Sequence, residues 1–279
     1  MPNDDALVKK QYGIGEIWQK IETGLNLAGK DINTLTLDDL APIDEFHTRG
    51  RAATREVAEM ANLKASDLVL DVGCGLGGTA RYLAGHYKCQ VKGIDLTEAY
   101  IFAGTKLTEL TNLGDWVALQ NGSALDLPYE DEQFDMVLTQ HVQMNIVDKH
   151  RFYSEIARVL KPGGRFIFHD VFCISGETPL YPVPWADDES ISVLVTEAEA
   201  RATIEETGLK VAQWIGKVQE SIQFFERVIA RIESHGHPPL GIHLILGDNA
   251  EDKLRNHARN LSENRLSVVV GYARKKQRQ

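Results

Sequence analysis

An aspartate and four glycines lie close together between positions 71 and 78. Asp71 precedes Gly73, Gly75 and Gly78 in the run Asp-Val-Gly-Cys-Gly-Leu-Gly-Gly, and Asp95 follows about 20 residues later. Glycines permit a tight turn and the close approach of a ligand to the backbone, and an ionised carboxylate can accept hydrogen bonds from both hydroxyls of a ribose. The spacing predicts a nucleotide-type ligand, and the glycines alone fit a dinucleotide equally well.

Asp71 decides between the possible ligands because it stands where a dinucleotide places its pyrophosphate. Two like charges about 4 Å apart cost on the order of 4 kcal/mol at an effective dielectric of 20. S-adenosylmethionine has an ammonium, a sulfonium and no phosphate, so we expect Asp71 to face its amino acid end and Asp95 its ribose. Taken singly, Asp71 can also cap the following helix and Asp95 can be a turn residue.

The elements that must position these residues alternate regularly along the chain. Hydrophobic patterning predicts strands at 67–72, 90–95, 116–120, 134–139, 165–170, 209–215 and 266–272. Predicted helices lie between most of them, at 79–86, 98–111, 149–160 and 197–207. Such alternation indicates a mostly parallel α/β sheet that is covered on both faces.

Two further segments are predicted to be helical. Residues 1–62 form an N-terminal cap, and 63–279 form the main domain. Within that domain, 218–265 is too long for a structureless loop and predicts a helical insertion. Both segments attach near the carboxyl ends of the strands, where a lid over a second substrate would lie.

Over residues 60 to 175 the sequence resembles the class I S-adenosylmethionine-dependent methyltransferases. The resemblance rests on the run from Asp71 to Gly77, on Asp95, on 122–128 with 134–135, and on 160–164. It implies a Rossmann-like, doubly wound sheet of seven strands with the last antiparallel. It also implies S-adenosylmethionine as cofactor, S-adenosylhomocysteine as product and transfer of a methyl group.

The resemblance assigns cofactor contacts to individual residues. Cofactor-binding positions carried over from the family are Asp71, Gly73, Gly75, Gly77, Asp95, Leu96, Ser123, Ala124 and Gln140. Ser123 and Ala124 would lie at the edge of the adenine, Leu96 against its face and Gln140 near the methionine moiety. Ser123 departs from the family, which often has an acid there.

The cap resembles the cofactor-covering segments of a smaller group. That group includes sarcosine and dimethylglycine N-methyltransferases, phosphoethanolamine methyltransferases and tocopherol or quinone methyltransferases. The similar positions are Tyr12 and the run 44–50, in which His47 is expected to contact the cofactor.

Four residues are candidates for the acceptor site. His141 follows the fourth strand, and its neutral imidazole can accept the acceptor's proton or only a hydrogen bond. Trp185 can stack on a methylated ammonium or fill the edge of the core. Arg255 and Arg259, spaced i and i+4, can clamp a carboxylate or phosphate, or form a solvated stripe.

Composition excludes several partners. With 40 acidic and 30 basic residues, the net charge of −10 disfavours nucleic acid and anionic membranes. The three cysteines form no Cys-x-x-Cys pair, which favours a reducing, cytoplasmic compartment, and no apolar run is long enough for membrane insertion. We expect no metal site at the histidines of 235–243, which lie in a turn, and a homodimer is possible.

We therefore expect an S-adenosylmethionine-dependent methyltransferase that acts on a small molecule. N-methylation of a glycine, sarcosine or dimethylglycine-type amine is preferred because of Trp185 and the arginine pair. C- or O-methylation of a quinone, phenol or other natural product is the first alternative and requires a more apolar cleft. A non-catalytic S-adenosylmethionine-binding protein is the second.

Overall fold

The fold is known from a computed structural model, which describes residues 17–277. Its sheet has seven strands, in the order β3-β2-β1-β4-β5-β7-β6. They are β1 (Leu68–Val72), β2 (Gln90–Asp95), β3 (Val117–Asn121), β4 (Phe134–Gln140), β5 (Leu160–Cys173), β6 (Leu209–Gly216) and β7 (Leu266–Lys275). Only β7 runs antiparallel to its neighbours, as expected.

Helices cover the sheet and form the cap and the insertion. The cap comprises α1 (Ile17–Leu27), α2 (Leu37–Asp44) and α3 (Arg51–Ala61). The helices between strands are α4 (Gly78–Tyr87), α5 (Glu98–Leu110), α6 (Lys149–Val159) and α7 (Glu197–Glu206). The insertion forms α8 (Val218–His235), α9 (His243–Leu246) and α10 (Ala250–Ser262), so its expected helical character is confirmed.

The positions of the strands follow from their apolar runs. In β1 every residue after Leu68 is buried, because helices cover both faces of this central strand. The largest difference is in β5, which begins at Leu160 instead of 165, because Leu160 already pairs with Phe134 and the Lys-Pro-Gly-Gly segment after it forms a bulge before pairing resumes at Arg165. Predicted and observed ends agree closely elsewhere.

The sheet creates a crevice where its order reverses. β1 pairs in parallel with β2 on one side and with β4 on the other. At such a switch point the loops after neighbouring strands diverge and leave room for a ligand. The register places the ends of β1, β2 and β4, which carry Asp71, Asp95 and Gln140, along one edge.

The cap and the insertion pack together above this edge. Ile21 and Leu25 of α1 share a hydrophobic cluster with Leu240 and Ile245 of the insertion. A second cluster joins the insertion to β7 and Trp185. Between residues 17 and 277 no helix is long and apolar enough to cross a membrane.

Candidate active site

A cavity with about 1340 Å³ of empty space, including its open mouth, lies at the switch point. The predicted site residues that line it are His47, Asp71, Gly73, Gly75, Asp95, Leu96, Ser123, Ala124, Gln140, His141 and Trp185. Tyr12 lies outside the described residues. The fold therefore brings most of the predicted site residues together in one cavity.

The three glycines of the loop after β1 have different roles. Gly73, Gly75 and Gly77 have φ angles of 75°, 54° and 76°, a region that side chains rarely adopt. A Cβ at Gly73 would lie 2.3 Å from a methyl of Val142, whereas Gly75 faces open space. Gly77 does not line the cavity and packs against Leu119, so its predicted ligand contact is not among those that the cavity brings together.

Asp71 is the most unusual group in the cavity. Its side chain is buried, and its Oδ2 has no hydrogen-bond partner. Burial and the neighbouring carboxylate of Asp95 raise the pKa of Asp71 to about 7. A positively charged ligand group would satisfy the free oxygen and favour the ionised form.

Asp95 is held firmly by the backbone on both sides. Its Oδ2 accepts from the N–H of Gly75 at 2.9 Å, and its Oδ1 accepts from the N–H of Thr97 at 2.9 Å. Burial raises the pKa of Asp95, and these two bonds oppose the rise. Because each carboxylate oxygen has more than one acceptor site, Asp95 can also accept two ligand hydroxyls.

Gln140 presents a donor to the cavity. Its Oε1 accepts from the hydroxyl of Thr79 at 2.9 Å, which fixes the orientation of the amide. Its Nε2 is buried and has no partner. A ligand carboxylate or hydroxyl is the natural acceptor for this N–H group.

Sequence reasoning missed an ion pair beside the glycine loop. Arg81 in α4 is fully buried, donates to the carbonyl of Leu76 at 2.7 Å and pairs with Asp44, which lines the cavity. A Cβ added to Gly78 would lie 2.3 Å from the carbonyl oxygen of Asp44. The only available signal was a lone arginine in an apolar helix, and its partner lies far away in the sequence.

The backbone turns sharply at His141, immediately after β4. Its φ of 55° is unusual for a residue with a side chain. Its N–H donates to the carbonyl of His169 at 2.8 Å, and the next N–H, of Val142, donates to Oδ1 of Asp170 at 2.9 Å. These bonds hold the imidazole at the cavity wall.

His141 belongs to a cluster of imidazoles. Its ring centroid lies 4.9 Å from that of His169 and 6.2 Å from that of His47. Burial, followed by the nearness of His47 and His257, lowers the pKa of His141 well below the usual range. His141 is therefore neutral at neutral pH, and its Nε2 is buried with no partner. His169 was missed because a histidine inside a strand has no spacing signature.

The wall around these histidines is largely apolar. Phe46, Met144, Pro184, Trp185 and Ile245 line it. The indole N–H of Trp185 donates to the hydroxyl of Ser192 at 3.0 Å, so this side chain is both buried and satisfied. No lysine or arginine lines the cavity within the described part of the chain.

Arg255 and Arg259 do not reach the cavity. Arg255 pairs with Glu233 at 2.8 Å and Arg259 with Glu263 at 2.9 Å, on the outer surface of the insertion. The predicted carboxylate or phosphate clamp is corrected accordingly. Spacing of i and i+4 placed both on one helical face, but it did not reveal that this face is turned to solvent.

Residues 70–168 match a family model described as methyltransferase domain. The chain therefore contains a methyltransferase domain, and the sheet has the fold of the class I S-adenosylmethionine-dependent methyltransferases. The predicted family and fold class are confirmed.

Curated relatives cover parts of the chain. It is 44% identical over 99 residues to a protein of Oryza sativa subsp. japonica named probable tocopherol O-methyltransferase, chloroplastic, covering 36% of this chain and 27% of that protein. It is 34% identical over 147 residues to sarcosine/dimethylglycine N-methyltransferase of Halorhodospira halochloris, covering 51% and 50%. The chain thus spans half or less of the length of these relatives.

Solved structures cover nearly the whole chain. The [4+2]-cyclase SpnF aligns with a TM-score of 0.73 and 20% identity over 99% of this chain and 98% of the other. Geranyl diphosphate C-methyltransferase of Streptomyces coelicolor A3(2) aligns with a TM-score of 0.71 and 16% identity over 99% and 98%. At these identities the likeness concerns the fold.

Proposed function

We propose that this chain binds S-adenosylmethionine in the cavity at the switch point and transfers its methyl group to a small molecule. The observation that carries the proposal is a pair of buried, unpartnered polar atoms, Oδ2 of Asp71 and Nε2 of Gln140, on the wall of one cavity. A zwitterionic amino acid group satisfies both, because its ammonium suits the carboxylate and its carboxylate suits the amide.

The remaining residues fit the nucleoside part. Asp95 keeps acceptor capacity for the ribose, and Gly75 leaves open space for its approach. Leu96, Ser123 and Ala124 line the cavity beside them and would hold the adenine. When bound, the cofactor supplies an electrophilic methyl group, and this chain's own residues have to align the acceptor and exclude water.

The structure changes the balance between acceptor classes. The preference for a glycine-type amine rested on Trp185 and on the arginine pair, and the arginines are engaged on the surface. The apolar wall favours the alternative, C- or O-methylation of a quinone, phenol or other natural product. A protein that binds the cofactor without transfer remains the second alternative.

Three expectations about context stay predictions. The three cysteines are free, with Cys74 and Cys89 buried, which supports a reducing, cytoplasmic compartment. A homodimer is the second of these predictions. The acidic character of the chain, together with Asp44, Asp71 and Asp95 on the cavity wall, supports a small-molecule partner over nucleic acid.

Calorimetry with S-adenosylmethionine and S-adenosylhomocysteine tests the proposal directly. We expect wild-type protein to bind both, and Asp71→Asn to bind at least about tenfold more weakly. Asp115→Asn removes an exposed carboxylate and is the matched control. A screen with radiolabelled methyl donor over amines, phenols and quinones then separates transfer from binding alone, and absence of binding by wild-type protein would reject the proposal.

A further inference from the structure

The histidine cluster at the apolar end of the cavity points to a class of acceptor. Two of its members, His47 and His141, line the cavity, and His169 lies behind them on β5. The three ring centroids are separated by 4.9 to 6.2 Å. Of the residues predicted for the acceptor site, only His141 belongs to this cluster.

The cluster contains unsatisfied hydrogen-bonding capacity. Nε2 of His141 and both ring nitrogens of His169 are buried without partners. His47 is oriented by the cap, since its Nε2 lies 3.2 Å from Oε2 of Glu45 and 3.1 Å from the hydroxyl of Thr54. A buried polar atom without a partner costs free energy, which a bound polar group can recover.

The charges around the cluster disfavour a cationic acceptor. Arg49 and Lys217 lie near His169, and both pair with the single carboxylate of Glu56, at 2.5 and 2.7 Å. They lower the pKa of His169, after burial and the neighbouring imidazoles. Lys217 also lies 3.5 Å from Oε1 of Glu220, so both cations are paired, and their effect at the cluster is the positive potential that lowers the pKa of His169.

Other charged groups near the cluster are already paired. Glu45 binds Arg51 as well as His47. Burial raises the pKa of Glu45, but these two partners and the hydroxyl of Thr54 outweigh that effect and lower the pKa to about 2. His257 on α10 is buried and neutral, because burial lowers its pKa to about 3. Asp170 is committed to the backbone N–H of Val142.

An anionic acceptor is disfavoured for another reason. Asp44, Asp71 and Asp95 line the same cavity, and no lysine or arginine among residues 17–277 does so. A carboxylate-bearing acceptor such as sarcosine would have to be buried beside these carboxylates, with no lysine or arginine on the cavity wall to pair with it, which is costly. A neutral acceptor avoids both penalties.

We infer that the acceptor is a neutral, largely apolar molecule that is methylated on a hydroxyl oxygen, and that this hydroxyl is held between His47 and His141. The inference rests on the proposed methyl transfer. The hydroxyl donates to Nε2 of His141, in the tautomer that carries its hydrogen on Nδ1. Phe46, Met144 and Trp185 surround the rest of the molecule.

The step balances in atoms and electrons. The hydroxyl oxygen forms a bond to the methyl carbon while the bond from that carbon to sulfur breaks, and the electron pair stays on sulfur as S-adenosylhomocysteine. The hydroxyl proton passes to Nε2 of His141 and then leaves to solvent. Because His141 is a weak base in its buried site, the proton moves as the new bond forms, and the positive potential of Arg49 and Lys217 favours the developing oxyanion.

The test compares isosteric probes on the protein loaded with S-adenosylhomocysteine. Calorimetry should show naphthol binding about tenfold or more tightly than methylnaphthalene, and more tightly than naphthylamine or sarcosine. When labelled S-adenosylmethionine replaces S-adenosylhomocysteine, naphthol should receive the methyl label faster than naphthylamine or sarcosine does. Asparagine tolerates the backbone conformation of His141, so His141→Asn removes the imidazole without forcing a new turn.

His141→Asn should lose the preference for the hydroxyl and most of the transfer rate, with cofactor affinity changed by less than about threefold. His235→Asn, at the exposed end of α8, is the control and should behave as wild type. An equal affinity for naphthol and methylnaphthalene, faster methylation of an amine, or an unchanged preference in His141→Asn would overturn the inference. Failure to bind either cofactor form rejects the proposed function instead.

Discussion

Nη2 of Arg81 lies 2.5 Å from Oδ1 of Asp44, and solvent reaches at most 1% of either side chain. The pair joins the cap to the glycine loop, because Arg81 also donates to the carbonyl of Leu76. Asp44 in turn lines the cavity. Docking of the cap and the shape of the glycine loop are therefore coupled through one buried interaction.

Replacing Asp44 with alanine should destabilise the protein strongly. The change leaves the guanidinium of Arg81 buried without its counter-charge, which typically costs about 3 to 5 kcal/mol. Urea unfolding should show a lower midpoint, and calorimetry should show weaker binding of S-adenosylmethionine. Asp38→Ala removes an exposed carboxylate from the same helix and should stay within about 1 kcal/mol of wild type. A loss of equal size in both variants would contradict the coupling.

Asp71→Asn should change stability and binding in opposite directions. The pKa of Asp71 is about 7 in the folded protein, against an ordinary value of 3.8. Stability contributed by its protonated form is therefore complete below about pH 4 and is lost as the pH rises through 7. At pH 8 the ligand-free variant should be more stable than wild type, by on the order of 1 to 3 kcal/mol.

The same substitution should remove most of the stabilisation that S-adenosylmethionine gives. Ligand ammonium favours ionised Asp71, so wild-type affinity should also fall as the pH drops from 8 to 6. Thermal unfolding with and without cofactor at pH 6 and 8 measures both effects. Asp115→Asn should follow wild type throughout, and a pH-independent affinity in wild-type protein would refute the assigned role.

Alanine at Gly73 and alanine at Gly75 should impair the protein in different ways, the first its stability and the second its binding of cofactor. At Gly73 the new methyl meets Val142, so Gly73→Ala should destabilise even the ligand-free protein by more than about 2 kcal/mol. At Gly75 only backbone strain of about 1 to 2 kcal/mol opposes the change, because the space is open. Gly75→Ala should therefore fold and lose cofactor binding.

Gly114→Ala is the control for this pair, since that position has open space and no positive φ. Chemical unfolding and calorimetry on the three variants separate folding from binding. If Gly75→Ala bound S-adenosylmethionine as tightly as wild type, the open space beside Gly75 would not belong to the cofactor.

The limits of sequence reasoning here have physical causes. Alternation of apolar runs predicted the sheet and its order of elements, because buried strands and amphipathic helices have characteristic periods. Asp71 and Asp95 were found because Asp71 is next to last in β1 and Asp95 is last in β2, each at a fixed distance from the glycines. His169 and the Asp44–Arg81 pair were missed, since their partners come from distant segments and leave no local pattern.

Asp170 should act on catalysis through the turn at His141. Its Oδ1 accepts from the N–H of Val142, and burial raises the pKa of Asp170 to about 7 against this and other bonds. Asparagine keeps an acceptor oxygen at the same place, whereas alanine leaves the N–H unsatisfied at a cost of about 1 to 3 kcal/mol. Asp170→Ala should therefore lower the methyl-transfer rate at saturating substrate far more than Asp170→Asn does.

The expected difference between the two Asp170 variants comes from a shift of the His141 imidazole. Cofactor affinity should change little in either variant, because Asp71 and Gln140 are untouched. Initial rates at saturating and limiting acceptor, combined with calorimetry for S-adenosylmethionine, separate misplacement from a general loss of structure. Equal activity in the alanine and asparagine variants would mean that the backbone bond from His141 to the carbonyl of His169 holds the turn alone.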